Sequence, residues 1–147
     1  METNAQALSL TLPNDLRLLL VARAFMESVC QAARLAPGDT DAIVLAVHEA
    51  VSNSMRHAHE NQPGAHLEIH CFVDAGRVEI HVLDEGEPFD LDAVPELSPS
   101  ELRIGGRGVF LMRALMDELS CEPRGQRGNI LRMVKHCRGG TRLSDCG

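Results

Sequence analysis

Gly105-Gly106-Arg107-Gly108-Val109-Phe110-Leu111-Met112 reads as a glycine hinge that runs straight into a helix. Glycines let a backbone approach an anion closely, and the free N–H groups of a helix's first turn aim their donors and the positive end of the dipole outward. The stretch is therefore a ready phosphate cradle. A tight loop before any helix would look the same, so the rest of the chain decides.

Downstream, the helix places Leu111, Met112, Leu115, Met116 and Leu119 on one side, with Met112 and Met116 reading as core. A final hairpin follows, roughly Ser120 to Pro123 and Asn129 to His136, turned by Arg124-Gly125-Gln126-Arg127-Gly128, and the chain from Cys137 reads as a flexible tail. Upstream, Glu85 to Gly106 carries Pro88, Pro95 and Pro99, several acidic residues and few regularly spaced apolar ones, the composition of a lid or a disordered loop. Before it, Leu67, Ile69, Cys71 and Val73 alternate with polar residues, as do Val78, Ile80 and Val82, and Asp74-Ala75-Gly76 turns the two strands into an antiparallel hairpin.

The first third reads as a strand, Ala7 to Leu12, and then two helices. One helix is expected from an N-cap at Asn14 to about Ala36, with Leu18, Leu19, Val21, Ala22, Phe25, Met26 and Val29 on its apolar arc, ended by Pro37-Gly38. The other is expected from a cap at Asp39 or Thr40 through about His59, with Ile43, Val44, Val47, Ala50, Val51 and Met55 inward. Strands and helices do not alternate as βαβ units. This order predicts an α+β fold, helices layered on one face of a mixed, mostly antiparallel sheet.

A chain of 147 residues with 44% apolar content fits one domain with one core. A net charge of −7, no Trp or Tyr and only four Phe leave little to hold or stack on a polyanion, so no direct nucleic-acid contact is expected. The cysteines at 30, 71, 121, 137 and 146 are odd in number and scattered, which suits a reducing cytoplasm. The richest apolar run, Leu18 to Met26, is cut by Arg23 and too short for a bilayer, so no membrane association is expected either.

Two further constellations matter. Glu49 and Asn53 lie one turn apart on a helix face roughly opposite the apolar stripe, where a carboxylate and an amide oxygen are hard donors suited to Mg²⁺ or to orienting a hydroxyl. Asp84-Glu85-Gly86 ends a strand, where a carboxylate could accept from an amino group and the glycine would let a flat ring approach the backbone. The polar phase of the hairpin carries His66, His70 and His81, while His57 and His59, two residues apart, share no helix face.

Together, Glu49-Ala50-Val51-Ser52-Asn53, Asp84-Glu85-Gly86-Glu87-Pro88-Phe89-Asp90 and Gly105 to Met112 resemble the three boxes of the GHKL ATPases. The wording of the third is most similar to the bacterial anti-sigma factor serine-protein kinases. The resemblance covers about Leu8 to His136 and implies a two-layer α/β sandwich, the Bergerat ATP-binding fold, as a histidine kinase-like ATPase domain over residues 1–136 with a tail over 137–147. It implies that Glu49 is the catalytic base, that Asn53 holds Mg²⁺, that Asp84 reads adenine and that Gly86 lies beneath the ring. It also implies that Gly106, Gly108 and Val109 cradle the ATP phosphates, with Arg103 or Arg107 offsetting their charge. Where members of the superfamily often carry a threonine supporting the aspartate, this chain has Asn129.

The function implied is phosphorylation of an anti-sigma factor antagonist of the STAS type and sequestration of a sigma factor or similar regulator, in a homodimer by family expectation. A non-catalytic nucleotide-dependent binding switch is the alternative. A histidine kinase would need a phosphoacceptor helix pair ahead of the first strand.

Overall fold

Period-two and helical patterns separate into two layers in the computed structural model, which describes residues 6–59, 64–93 and 107–138. The strands are β1 (Gln6–Pro13), β2 (His66–Asp74), β3 (Arg77–Asp84), β4 (Glu118–Pro123) and β5 (Asn129–His136), and the helices are α1 (Leu19–Ala32), α2 (Pro37–His59) and α3 (Arg107–Leu115). The sheet order is β1-β2-β3-β5-β4. Every pairing is antiparallel, so the mixed sheet expected from the sequence is antiparallel throughout the described residues.

Alternation decides which side is buried. On β2 and β3, Leu67, Ile69, Cys71, Val73, Val78, Ile80 and Val82 all face the helices and exclude solvent. Met26 of α1, Ile43, Val47, Val51 and Met55 of α2, and Val109 and Met112 of α3 close over them. The anticipated core methionines, Met112 and Met116, are both buried there.

Several boundaries differ from expectation, each for a local reason. The first helix does not run unbroken from Asn14: the Asp15 carboxylate caps a 3-10 turn over Leu16–Leu18, accepting the Arg17 N–H at 2.9 Å, and α1 starts only at Leu19. It ends at Ala32, because Arg34 enters the left-handed region at φ 55 and the Leu35 N–H bonds back to the Cys30 carbonyl at 3.2 Å, closing the helix without a glycine. Of the wide apolar arc, only Ala22, Met26 and Val29 are fully buried within α1, joined by Cys30 from outside that arc, and Val21 is 40% exposed. Pro37 opens α2 as well as ending the preceding turn, since its fixed φ and missing N–H suit a helix's first position. In α3 the helical spacing overruns: the helix stops at Leu115, where Lys135 Nζ donates to the last carbonyl at 2.8 Å, and Leu119 belongs to β4 opposite Met133.

Cys137 and Arg138, which the sequence placed in the tail, are tied to the body. The Cys137 N–H donates to the Gly76 carbonyl at 2.9 Å, and the Arg138 N–H reaches Asp39 Oδ2 at 3.3 Å. No helix of the described residues is long and apolar enough to cross a membrane.

Candidate active site

The last residue of β3 is the pivot. Asp84 pairs with Asn129, the first residue of β5, so its carboxylate lies where the sheet ends beneath α2. It is only 8% exposed. A buried carboxylate needs donors, and three are present: the Gly86 N–H at 3.0 Å and Asn129 Nδ2 at 3.1 Å on Oδ1, and the Ser54 hydroxyl at 3.0 Å on Oδ2. Among the described residues Oδ2 accepts nothing else, so it has capacity for a further donor such as the amino group of a base.

Gly86 is buried directly beyond it, and its carbonyl accepts the Gly128 N–H at 3.1 Å. Gly128 has φ +99, and a Cβ there would run into the Asp84 carbonyl. Only glycine lets the start of β5 lie this close to the end of β3.

α2 carries the opposite wall. Glu49 and Asn53 are not on a fully solvated face: both are half-buried on the flank of α2 that meets the first turn of α3. A Cβ added at Gly108 would lie 2.8 Å from Asn53 Nδ2 and 3.1 Å from Glu49 Oε2. The glycine thus lets the N-terminal turn of α3 come close to two side chains that carry hard oxygen donors. The side-chain oxygens of Glu49 and Asn53 are hard donors of the kind an oxygen-seeking divalent cation takes, and Asn53 could hold one there.

One helix therefore joins both ends of the pocket, since Ser54 holds Asp84 while its neighbour Asn53 faces Gly108. The structure brings together Glu49, Asn53, Asp84, Gly86 and Gly108, with Val109 buried in the same turn and Arg107 exposed beside it. Arg103 and Gly106 lie outside the described residues, as does the lid from residue 94 to residue 106. The described part of the expected lid carries a 3-10 turn, Leu91–Ala93, with Leu91 buried and its carbonyl accepting Arg113 Nη2 at 3.0 Å. Sequence reasoning missed Ser54 and Gly128. Ser54 is one residue from the Asn53 box, but nothing local marks it as the partner of a carboxylate 30 positions away.

Thiol and histidine chemistry lie elsewhere. Burial pushes the Cys30 and Cys71 thiols up to about 12, and Cys121 and Cys137 up to about 11, so none is a ready nucleophile. His70 and His81 face each other on the sheet's other side, beside Glu68 at 3.5 Å and Glu79 at 2.6 Å respectively.

Helices over one face of an antiparallel sheet, with a supported carboxylate at a strand end and an acid–amide pair against a glycine in a helix's first turn, define an ATPase-type nucleotide domain. The chain belongs to the histidine kinase-like ATPase domain family, which it matches over residues 12–135. Its curated relatives include serine-protein kinase RsbW of Halalkalibacterium halodurans, 31% identical over an alignment 138 positions long that covers 88% of this chain and 83% of that protein. RsbW of Bacillus subtilis is 26% identical over an alignment 147 positions long that covers 95% of this chain and 91% of that one. These are the kinase relatives that the three motifs led us to expect. Two solved structures share the fold. The SiaB-SiaC complex from Pseudomonas aeruginosa matches with a TM-score of 0.66 at 16% identity, over 86% of this chain and 88% of that chain. The RsbU and RsbW domains of a Mycobacterium tuberculosis protein match with a TM-score of 0.66 at 17% identity, over 90% of this chain and 32% of that longer one.

Proposed function

We propose that this protein is an ATP-dependent serine/threonine-protein kinase that works by partner switching. It phosphorylates an anti-sigma factor antagonist of the STAS type and holds a sigma factor or similar regulator when that antagonist is modified. The observation that carries this reading is the placement of Glu49 and Asn53 against Gly108, on the same helix whose Ser54 supports Asp84. One rigid element then sets the distance between the base-reading end and the phosphate end of the pocket.

In the reaction, the acceptor hydroxyl oxygen bonds to the γ-phosphorus, the bond from that phosphorus to the β-phosphate oxygen breaks, and Glu49 takes the hydroxyl proton. Asp84 accepts from the adenine amino group, Gly86 passes beneath the ring, and the amides of Gly106, Gly108 and Val109 hold phosphate oxygens. Mg²⁺ on Asn53 would neutralise phosphate charge. Arg107, exposed at the first residue of α3, and Arg103 add positive charge at that end. The partner assignment rests on the motif resemblance. So do a cytoplasmic location, a kinase domain over residues 1–136, a tail beyond it and a homodimer.

Incubation with Mg-ATP and a cognate antagonist should transfer phosphate to serine or threonine. Glu49→Gln should lower transfer by about a hundredfold or more, the usual scale of a lost general base, with ATP affinity nearly unchanged. Full transfer by that variant would remove Glu49 from the role of base. Tight binding of ATP and antagonist with no transfer by the unmodified protein would replace the kinase with a nucleotide-dependent binding switch.

A further inference from the structure

Asn129 does more than stand in for a threonine. Its side chain is buried at 6% exposure and makes three hydrogen bonds in three directions. Nδ2 donates to Asp84 Oδ1 at 3.1 Å and to the Glu87 carbonyl at 2.8 Å, and Oδ1 accepts the Phe89 N–H at 2.9 Å. An amide can do this because it carries two donor hydrogens and an acceptor oxygen in one plane, whereas a hydroxyl has one hydrogen and can donate to only one of the two oxygens. One side chain thus links the base-reading carboxylate to the backbone of the segment that leaves it.

That segment is otherwise thinly held. The Phe89 ring is 40% exposed, and the flanking Glu85, Glu87, Pro88 and Asp90 are all exposed. Beyond Asn129, the described anchors are the Gly86–Gly128 backbone bond before it, an exposed Arg127–Glu87 ion pair at 3.7 Å, and the buried Leu91 with its Arg113 contact after it. Between those anchors, Glu87 and Phe89 are held to the sheet by Asn129.

We propose that Asn129 is a positioning residue that couples nucleotide occupancy at Asp84 to the order of residues 87–90. The inference rests on the nucleotide reading of Asp84. A ligand on Asp84 fixes the carboxylate that orients the Asn129 amide, and the oriented amide holds Glu87 and Phe89. By linkage, holding that segment must strengthen ligand binding by the same factor.

Amide hydrogen exchange with and without Mg-ATP, together with ATP titration, tests this on the full chain and on Asn129→Ala and Asn129→Thr. In the unmodified protein the Phe89 amide should be protected, and more so with ATP. Asn129→Ala should lose that protection, weaken ATP binding by about tenfold, the scale of one buried hydrogen bond, and abolish the effect of ATP on Phe89. Asn129→Thr keeps a donor for Asp84 and should hold ATP affinity within about threefold, yet exchange Phe89 as fast as the alanine variant. Exchange at Val82 and Met133 should not change in either, which separates a local tie from a loosened fold.

The proposal is overturned if ATP protects Phe89 in Asn129→Ala as it does in the unmodified protein, or if Asn129→Thr keeps Phe89 fully protected. Unmodified protein that binds no ATP would sink the nucleotide reading and the coupling with it. Unmodified protein that binds ATP beside variants with native Phe89 exchange would sink the coupling alone.

Discussion

Gly108 and Gly128 are glycines for different reasons, and the difference makes their alanine variants opposites. At Gly108 an added Cβ meets only the ends of two side chains, Asn53 Nδ2 at 2.8 Å and Glu49 Oε2 at 3.1 Å. Those ends can swing aside, so the fold should survive while the two groups proposed to face the phosphates are displaced. Gly108→Ala should therefore unfold within about 2 °C of the unmodified protein yet lose about a hundredfold in phosphotransfer, the scale of an ångström-sized misplacement at a reacting centre. At Gly128 the added Cβ meets the backbone carbonyl of Asp84 from a φ of +99, and neither can move without breaking the start of β5. Gly128→Ala should cost about 2–3 kcal/mol and lower the melting temperature by roughly 10 °C. Thermal unfolding followed by circular dichroism, run beside the transfer assay, checks both. A large stability loss in Gly108→Ala would make that glycine a packing requirement and not a feature of the site.

At the scale of elements, β3 shows what alternation reveals and what it hides. One of its faces is core, and the other carries Glu79, whose carboxylate meets Arg77 at 2.7 Å, His81 at 2.6 Å and Arg132 of β5 at 3.0 Å. Burial alone would raise this carboxyl, but the hydrogen bonds from Arg132, His81 and Arg77 outweigh it and hold it down at about 2. A depressed folded value means that the stabilisation is present above the ordinary glutamate range and is lost as pH falls from about 4.5 towards 2. With Arg132 34% exposed and screened by solvent, the contribution is on the order of 1–2 kcal/mol. Urea unfolding should show Glu79→Gln less stable by that amount at pH 7 and converging with the unmodified protein near pH 2; a constant gap across that range would refute the titration. The strands themselves were legible because period-two burial is a local pattern, and so was the family, because its motifs are runs of adjacent residues. The break before Leu19 and the end of α1 at Ala32 were not, since one is set by the Asp15 side-chain cap and the other by the Leu35–Cys30 backbone bond, with no glycine to mark it. Nor was the end of α3: Leu119 follows Met116 at helical spacing, and only its pairing with Met133 makes it a strand residue. The supports of Asp84 were hidden in the same way, because Ser54 and Asn129 reach it across 30 and 45 positions of chain.

For the whole molecule, the candidate site is assembled from parts that meet through α2. β3 supplies Asp84, α3 supplies Gly108, and α2 supplies Ser54 to one and Asn53 to the other. α3 is only nine residues long, too short to be helical without tertiary contacts, so a ligand spanning Asp84 and the first turn of α3 should stabilise the domain as a unit. ATP with Mg²⁺ at a hundred times its dissociation constant should add about 2.7 kcal/mol and raise the melting temperature by roughly 8 °C. The same concentration of GTP should shift it by less than about 2 °C, because guanine turns a carbonyl oxygen towards a carboxylate that can only accept, and a buried acceptor–acceptor contact is costly. Chelating the metal should remove part of the ATP shift, since the phosphates then face Glu49 without a neutralising charge. Differential scanning fluorimetry of the full chain with each nucleotide, with and without chelator, reads all three effects. Equal stabilisation by GTP would show that Asp84 does not read the base, and an ATP shift indifferent to the chelator would remove Asn53 from the role of metal ligand.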